Sequence, residues 1–221
     1  MQYVREAVKP YALNVLNRDI CACNSCGCKC GTRTMITGDV DAPLMCIMDY
    51  PTEEQAGLGR PIHIFDGNGD VKKFLEHCLA PHKVNLDRIL FMNTVSCCPT
   101  RTVNTEAGTE EVCRTPLPQE IKACSTFVKY AIDAVRPPML LVLGNVASNV
   151  VLPMPISKAR GRWISYHGIY TMISYSPAQI LDARADGRQE RWIRMSREFQ
   201  TDMDNAMKFY RREWPDSILF D

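Results

Sequence analysis

The chain has 221 residues, of which 46% are hydrophobic and 23% are charged, a composition that can bury one good-sized core. Its formal net charge of +1 and pI near 7.5 exclude a protein that coats nucleic acid through bulk positive charge, so such a contact needs a locally basic face. No apolar run reaches the ~18 residues that span a bilayer, and residues 1–18 lack the layout of a signal peptide. We therefore expect one compact, monomeric domain over residues 1–221, in the cytoplasm and without membrane contact.

A run of cysteines marks the N-terminal segment, residues 1–35. Five of the eleven cysteines lie between Cys21 and Cys30. Because thiols stay reduced in the cytosol, a metal or an iron-sulfur cluster explains this run better than a disulfide framework does. Within it, only Cys23 and Cys26 have the two-residue gap that lets adjacent thiolates hold one metal centre from a single turn.

Strand and helix patterns alternate through the rest of the chain. Short apolar runs predict four buried parallel strands, at Leu44–Met48, 89–95, Met139–Leu143 and 170–175. Helical spacing predicts helices at 71–79, Pro118–Val135 and 145–152, and a terminal amphipathic helix follows Arg184, whose apolar stripe we interpret as core packing. This order predicts an α/β domain of three layers, α/β/α, with a central four-stranded parallel sheet.

The carboxyl ends of the predicted strands carry polar and turn-forming residues. They are Asp49 with Tyr50, Asn93, Gly144 and Ser176. Ligands in open α/β sheets bind outside the carboxyl ends of the strands, so we expect a site where these turns converge.

Two further cysteines extend the candidate metal site. Cys97 follows the second strand and Cys124 lies on the helix after it. With Cys23 and Cys26 they supply four thiolates, which is the ligand set of a cubane cluster. Spacing alone leaves open a zinc site built from the N-terminal run, Cys21, Cys23, Cys26, Cys28 and Cys30. Cys46 and Cys78 occupy apolar positions typical of inert buried thiols, and the roles of Cys98 and Cys113 stay undecided.

Several motifs, in order, carry a resemblance to a known family. The Cys-x-x-Cys pair precedes Arg33, a strand, the motif at residues 48–52 and a Gly-Arg-Pro-Ile at residues 59–62. The second strand then leads to Asn93 and Cys97.

The motif series continues after an insertion around residues 103–112. It consists of residues 114–120 before Cys124, a Leu-Gly-x-x-Ala at 143–147, an Arg-Gly at 160–161 and a Ser-Pro-Ala at 176–178. In this order the chain resembles the family 4 uracil-DNA glycosylases, which carry an iron-sulfur cluster, and related phage glycosylase-like proteins.

That resemblance implies a uracil-DNA glycosylase-like fold and a DNA partner, single- or double-stranded, with one base flipped out. It also implies a 4Fe-4S cluster held by Cys23, Cys26, Cys97 and Cys124. Asn93 matches the family residue that binds the pyrimidine edge. Four positions depart from the family pattern: Asp49 replaces its glutamate, Tyr50 its alanine, Ile62 its base-stacking phenylalanine and Ser176 its late histidine.

These residue types suit hydrolysis of an N-glycosidic bond, which builds positive charge on the sugar and negative charge on the base. Asp49 can place an anion near the sugar and orient a water, although an aspartate that only caps a turn or helix is common. Asn93 can read N3 and O4 of uracil, or can stabilise a turn. Tyr50 either stacks on the base or narrows the pocket. Ser176 keeps one neutral hydrogen bond to the base but not a charged one.

DNA contacts are expected on both sides of the last strand. Arg160 and Arg162 precede it and can hold phosphates, and Gln179 and Ile180 lie where the family inserts an apolar wedge into the base stack. The arginines from Arg188 to Arg194 fit phosphate contacts and a solvated helix face equally well.

The sequence therefore favours a DNA glycosylase that removes uracil or a modified pyrimidine. The alternative is a DNA-binding or replication-associated protein that keeps the fold with weak or no catalysis. A small redox carrier is disfavoured, because the cysteines are scattered and do not form a ferredoxin run.

Overall fold

The computed structural model describes residues 2–28, 32–61, 70–105 and 108–215. Its centre is a six-stranded sheet with the strand order β1-β3-β2-β6-β8-β7. The strands are β1 (Thr37–Gly38), β2 (Leu44–Met48), β3 (Ile89–Asn93), β6 (Met139–Leu143), β7 (Trp163–Tyr166) and β8 (Ile169–Ser174). A separate two-stranded hairpin consists of β4 (Thr100–Thr105) and β5 (Gly108–Cys113).

The four inner strands, β3, β2, β6 and β8, are parallel, as the sequence predicts. Their register aligns the strand ends: Met48 pairs with both Asn93 and Leu143, and Leu143 pairs with Ser174. The sheet is wider than predicted, because β1 and β7 add an antiparallel strand at each edge.

Helices cover both faces of the sheet, which confirms the three-layer α/β class. They are α1 (Gln2–Ala22), α2 (Glu53–Leu58), α3 (Asp70–Leu79), α4 (Pro118–Val135), α5 (Asn145–Val151), α6 (Ile156–Ala159), α7 (Pro177–Ala185) and α8 (Gln189–Glu213). Short 3-10 turns follow α3 and precede β3, at Ala80–His82 and Leu86–Arg88.

Side-chain alternation along the strands divides the core in two. In β2, Leu44, Cys46 and Met48 pack towards α3, α7 and α8, whereas Met45 and Ile47 pack towards α1, α4 and α5. All five side chains are buried, as expected for a strand with helices on both sides.

The predicted terminal helix is α8, which begins at Gln189 because a turn separates it from α7. Its apolar stripe from Met195 to Tyr210 is buried against the sheet, which confirms the predicted core-packing role of the stripe. Among the residues described, no helix has both the length and the apolar composition needed to cross a bilayer.

Candidate active site

The carboxyl ends of the inner strands lie at one edge of the sheet, and the turns after β2 and β8 border an open cleft of about 980 Å³. We call it the edge cleft. Its wall includes Asp49 and Tyr50 from the end of β2, and Ser176 and Gln179 from the start of α7. The expected convergence of strand-end turns therefore holds for β2 and β8.

Asp49 is the buried acid of the edge cleft, with 3% of its surface exposed. Its Oδ1 accepts a hydrogen bond of 2.9 Å from the backbone N–H of Ala147, in the first turn of α5. Its Oδ2 is buried and has no hydrogen-bond partner among the described residues. Asp49 thus caps the start of α5, which is the alternative role that the sequence left open for it. Its second oxygen, Oδ2, is not used in this cap.

Burial sets the protonation of this group. Loss of solvent raises the pKa of Asp49 to about 6, and the backbone amides of residues 145–147 oppose the rise. These amides point their hydrogens at the carboxylate and favour its charged form. The carboxyl group therefore titrates just below neutral pH and is mainly an anion at pH 7.

Asn93 lies on the strand next to Asp49 but is not among the described residues that line the edge cleft. Its Nδ2 donates to the hydroxyl of Thr34 at 3.1 Å, and that hydroxyl donates in turn to the carbonyl of Ser96. Asn93 Oδ1 is buried without a hydrogen-bond partner among the described residues. Thr34 was missed by sequence reasoning, because no local pattern links it to a strand that begins 55 residues later.

Of the other residues predicted to contact the base, two line the edge cleft and one lies outside the described residues. Tyr50 lines the edge cleft, and its hydroxyl lies 3.5 Å from Thr115 Oγ1. Ser176 is buried at the start of α7, where its side chain makes no capping bond. Ile62 lies outside the described residues.

The β4–β5 hairpin forms a wall of the edge cleft that sequence reasoning did not place there. Arg101 at its start and Arg114 just after its end both line the cleft. Arg114 is held by a two-bond ion pair with the buried Glu120, at 2.9 and 2.7 Å. The insertion noted in the sequence, residues 103–112, thus lies between two cleft-lining residues, Arg101 and Cys113.

A disulfide closes the base of this hairpin by joining Cys98 to Cys113. The sequence left both cysteines unassigned. Because Cys113 lines the edge cleft, the bond fixes one end of the hairpin beside the site.

Two of the predicted DNA contacts are engaged within the protein. The Arg160 guanidinium forms an ion pair of 2.9 Å with Asp202 and stacks over Tyr175 at 5.2 Å. Ile180 is fully buried in the core between α7 and the sheet, so it is not available as a wedge and that expectation is wrong. Arg162 is exposed, and Gln179 is half-buried on the cleft wall.

The four predicted metal ligands line one small cavity away from the edge cleft. Cys23 and Cys26 come from the loop after α1, Cys97 follows β3 and Cys124 lies on α4. Cys28 is a fifth thiol on the same wall and also hydrogen-bonds Glu120. Arg33, which donates to the carbonyl of Cys23, lies beside them. We call this the thiol cavity.

The spacing of these thiols bears on the type of metal site. Within the described parts of the chain, no three His, Cys, Asp or Glu side chains are grouped tightly enough to hold one metal ion. A mononuclear zinc site brings all its sulfurs to about 2.3 Å from one ion. In a four-iron cluster each cysteine binds a different iron, so its sulfurs stand further apart. The described thiols therefore share one cavity without forming a tight group around a single point.

Comparisons with known proteins identify the family of this chain. The family model for the uracil DNA glycosylase superfamily matches residues 37–200, which span β1 to the middle of α8. The type-4 uracil-DNA glycosylase of Thermotoga maritima is 23% identical over 217 residues, covering 96% of this chain and 99% of that protein. The chain belongs to the uracil-DNA glycosylase superfamily.

Proposed function

We propose that this protein is a DNA glycosylase that hydrolyses the N-glycosidic bond of uracil or a modified pyrimidine flipped out of DNA. The observation that carries the proposal is the buried Asp49 carboxylate, which keeps one oxygen without a protein partner on the wall of the edge cleft. A buried acceptor left unpaired lowers stability, so its presence in a cleft supports a role in binding or catalysis.

Asp49 acts on the sugar side of the bond in this proposal. As the bond breaks, the sugar becomes positively charged, and an anion close to it lowers the energy of the transition state. With a pKa of about 6, the carboxylate is available for this at neutral pH. Its Oδ2 can accept a hydrogen bond from the attacking water, while the amide bond to Oδ1 keeps the group in place.

The side chains that contact the departing base in this proposal are uncharged. Ser176 Oγ can donate one hydrogen bond to the departing base, and the Tyr50 ring also lines the edge cleft. We also assign the reading of the pyrimidine edge to Asn93, which lies on the strand next to Asp49 but is not among the described lining residues of the cleft, and its buried, unpaired Oδ1 supports the assignment. A base that leaves easily, or that brings contacts through a 5-substituent, suits such a site better than uracil does.

The thiol cavity fits a 4Fe-4S cluster held by Cys23, Cys26, Cys97 and Cys124, on the chemistry of its donors. When bound, such a cluster would tie the loop after α1 to the end of β3 and to α4. These segments are far apart in the chain, so the cluster contributes to folding. We assign it no step in bond cleavage.

One observation favours a second candidate function. Ser176 replaces a potentially charged donor, and removal of one such donor commonly slows a reaction about a hundredfold. A protein that binds DNA with weak or absent excision therefore stays the alternative.

Single-turnover excision assays separate these functions. Matched oligonucleotides carry uracil, 5-hydroxymethyluracil or a modified cytosine, and abasic sites are counted after each reaction. We expect excision of at least one modified pyrimidine, faster than of uracil, and a loss of about tenfold or more for Asp49→Ala and for Asn93→Ala with DNA affinity kept. Asp133→Ala, an exposed residue on α4, is the control.

Three outcomes oppose parts of the proposal. Tight DNA binding with no excision of any base would establish the alternative function. Full activity in both variants would move the active site elsewhere. If uracil is removed fastest, and Ser176→His and Ile62→Phe do not improve its removal, the specificity argument fails.

A further inference from the structure

A second open cleft, of about 1000 Å³, adjoins the edge cleft. It lies between α3, α7 and α8, and we call it the helix cleft. Asp70, Leu181 and Asp182 line both clefts, so the two meet at the middle of α7 and at the start of α3. A strand of DNA with one nucleotide in the edge cleft can place a neighbouring nucleotide in the helix cleft.

An aromatic side chain forms part of its wall. Trp192, in the first turn of α8, is half-buried against the core, and the Arg184 guanidinium lies over its ring at 5.4 Å. The guanidinium is planar, so the face of the Trp192 ring that it covers can also accept a planar nucleobase by stacking. A base that stacks there takes the place of Arg184 over the ring and leaves the guanidinium for the adjoining phosphate.

Charge separates the two clefts. Lys73, Arg184 and Arg197 line the helix cleft, and within the described parts of the chain none of the three forms an ion pair with a carboxylate. The acids among its described lining residues are Asp70 and Asp182, both at the boundary.

The edge cleft has the opposite balance. Besides its two arginines, it is lined by the five acids Asp49, Glu53, Glu54, Asp70 and Asp182. Phosphates are therefore favoured in the helix cleft and disfavoured in the edge cleft, where a neutral base fits better.

A free hydroxyl adds a polar group to the same wall. Ser196 Oγ, one turn after Trp192, is buried and has no hydrogen-bond partner among the described residues. Serine within a helix usually bonds a carbonyl of the preceding turn. Ser196 can instead donate to a ligand in the cleft.

We propose that the helix cleft binds the nucleotide next to the flipped one on the same strand, with its base stacked on Trp192 and its phosphate held by Lys73, Arg184 and Arg197. A positive groove with an aromatic platform is the combination by which proteins bind single-stranded DNA. In a paired duplex the base faces are covered by their neighbours, so this subsite favours single-stranded or locally opened DNA. The inference rests on the proposed function in taking DNA as the ligand and in placing the flipped nucleotide in the edge cleft.

Tryptophan fluorescence tests the stacking directly. The chain has three tryptophans, and the titrant is an eight-nucleotide single strand with no uracil or modified base. We expect quenching in the wild type, in Trp163→Phe and in Trp214→Phe, and its loss in Trp192→Phe. Trp192→Ala should raise the Kd for this strand about fivefold or more, whereas Tyr130→Ala, an exposed aromatic on α4, should leave it unchanged.

Salt dependence tests the phosphate contacts. Lys73→Ala and Arg197→Ala should each lower the slope of log K against log salt concentration by about 0.7, as for one lost contact with a single strand. Lys129→Ala on α4 is the matched control. Quenching that persists in Trp192→Phe, or Trp192→Ala binding that matches the wild type on single strands and duplexes alike, overturns the proposal.

The two proposals fail separately. The titrant contains no excisable base, so an inactive protein still gives the quench if the helix cleft binds DNA. An active glycosylase that shows no Trp192 quench disproves only the subsite.

Discussion

Gly144 leaves the space that the Asp49 carboxylate occupies. A Cβ built on residue 144 would lie 2.2 Å from the carboxylate carbon and from both of its oxygens, far inside van der Waals contact. Gly144 also has φ +118°, a conformation that side-chain-bearing residues rarely adopt. Its lack of a side chain thus determines where the acid of the candidate site stands.

Gly144→Ala should therefore displace Asp49 and lower single-turnover excision about tenfold or more, close to the effect of Asp49→Ala. Gly168→Ala is the control, because Gly168 also has a positive φ, +82°, but no neighbouring atom within 4 Å of the added carbon. Both variants carry backbone strain, and only the first moves the acid. Wild-type rates in a folded Gly144→Ala protein would show that the position of Asp49 does not limit excision.

The raised pKa of Asp49 predicts how excision depends on pH. The carboxylate has to be charged to stabilise the sugar cation, so the single-turnover rate should rise through about pH 6 and level off above it. The measurement is the rate on one good substrate from pH 4.5 to 8.5. A rate that is flat from pH 5 to 7 would contradict this assignment.

The same pKa predicts a cost in stability. The ordinary pKa of an aspartate is about 3.9, so the folded protein binds this proton more tightly than the unfolded chain does. The cost is absent below about pH 4, grows as the pH rises and is complete above about pH 6. Asp49→Asn should therefore raise the free energy of unfolding at pH 7.5 by up to about 3 kcal/mol relative to its effect at pH 4.

Urea unfolding at the two pH values measures this difference, with Asp133→Asn as the exposed control. The prediction fails if Asp49→Asn lowers the free energy of unfolding more at pH 7.5 than at pH 4. That result would mean that the amides of α5 stabilise the charged form more than burial destabilises it.

The thiol cavity predicts the metal content. Protein prepared without oxygen should contain four irons and acid-labile sulfide, and Cys97→Ser and Cys124→Ser should lose both and fold poorly. Cys21→Ser is the matched control, since Cys21 is exposed and lies two residues from Cys23. Stoichiometric zinc without sulfide would refute the cluster.

The disulfide predicts the rigidity of the cleft wall. The hairpin is exposed along most of both strands, so little buried surface holds it in place besides the Cys98–Cys113 bond and its own ladder. Replacing both cysteines with serine should increase amide exchange across residues 100–113 about tenfold or more and leave α4 unchanged. Mass spectrometry of exchanged peptides measures both, and equal protection with and without the bond would count against this role.

Much of the sheet was predictable, because each inner strand is a short apolar run between turn signals. The bounds of β2 and β6 agree with the prediction, and the predicted strand that begins at Ile89 ends earlier, at Asn93. The N-terminal helix α1 was missed although Leu13, Leu16 and Ile20 are buried at helical spacing. Pro10 inside it is a residue that usually interrupts helices.

Side-chain engagement was harder to predict than strand position. Arg160 looks like a free cation in the sequence, yet its partner Asp202 lies on α8, 42 residues later. Ile180 is expected from the sequence to enter the base stack, but α7 begins at Pro177 and turns this residue inwards. Such pairings depend on tertiary packing, which no local motif encodes.

Glu120 connects the edge cleft to the thiol cavity. Its carboxylate accepts from Arg114, on the wall of the edge cleft, and hydrogen-bonds Cys28, on the wall of the thiol cavity. A single side chain thus lies between the thiol cavity and the edge cleft. Cys28 is therefore connected to the edge cleft through only two side chains, Glu120 and Arg114.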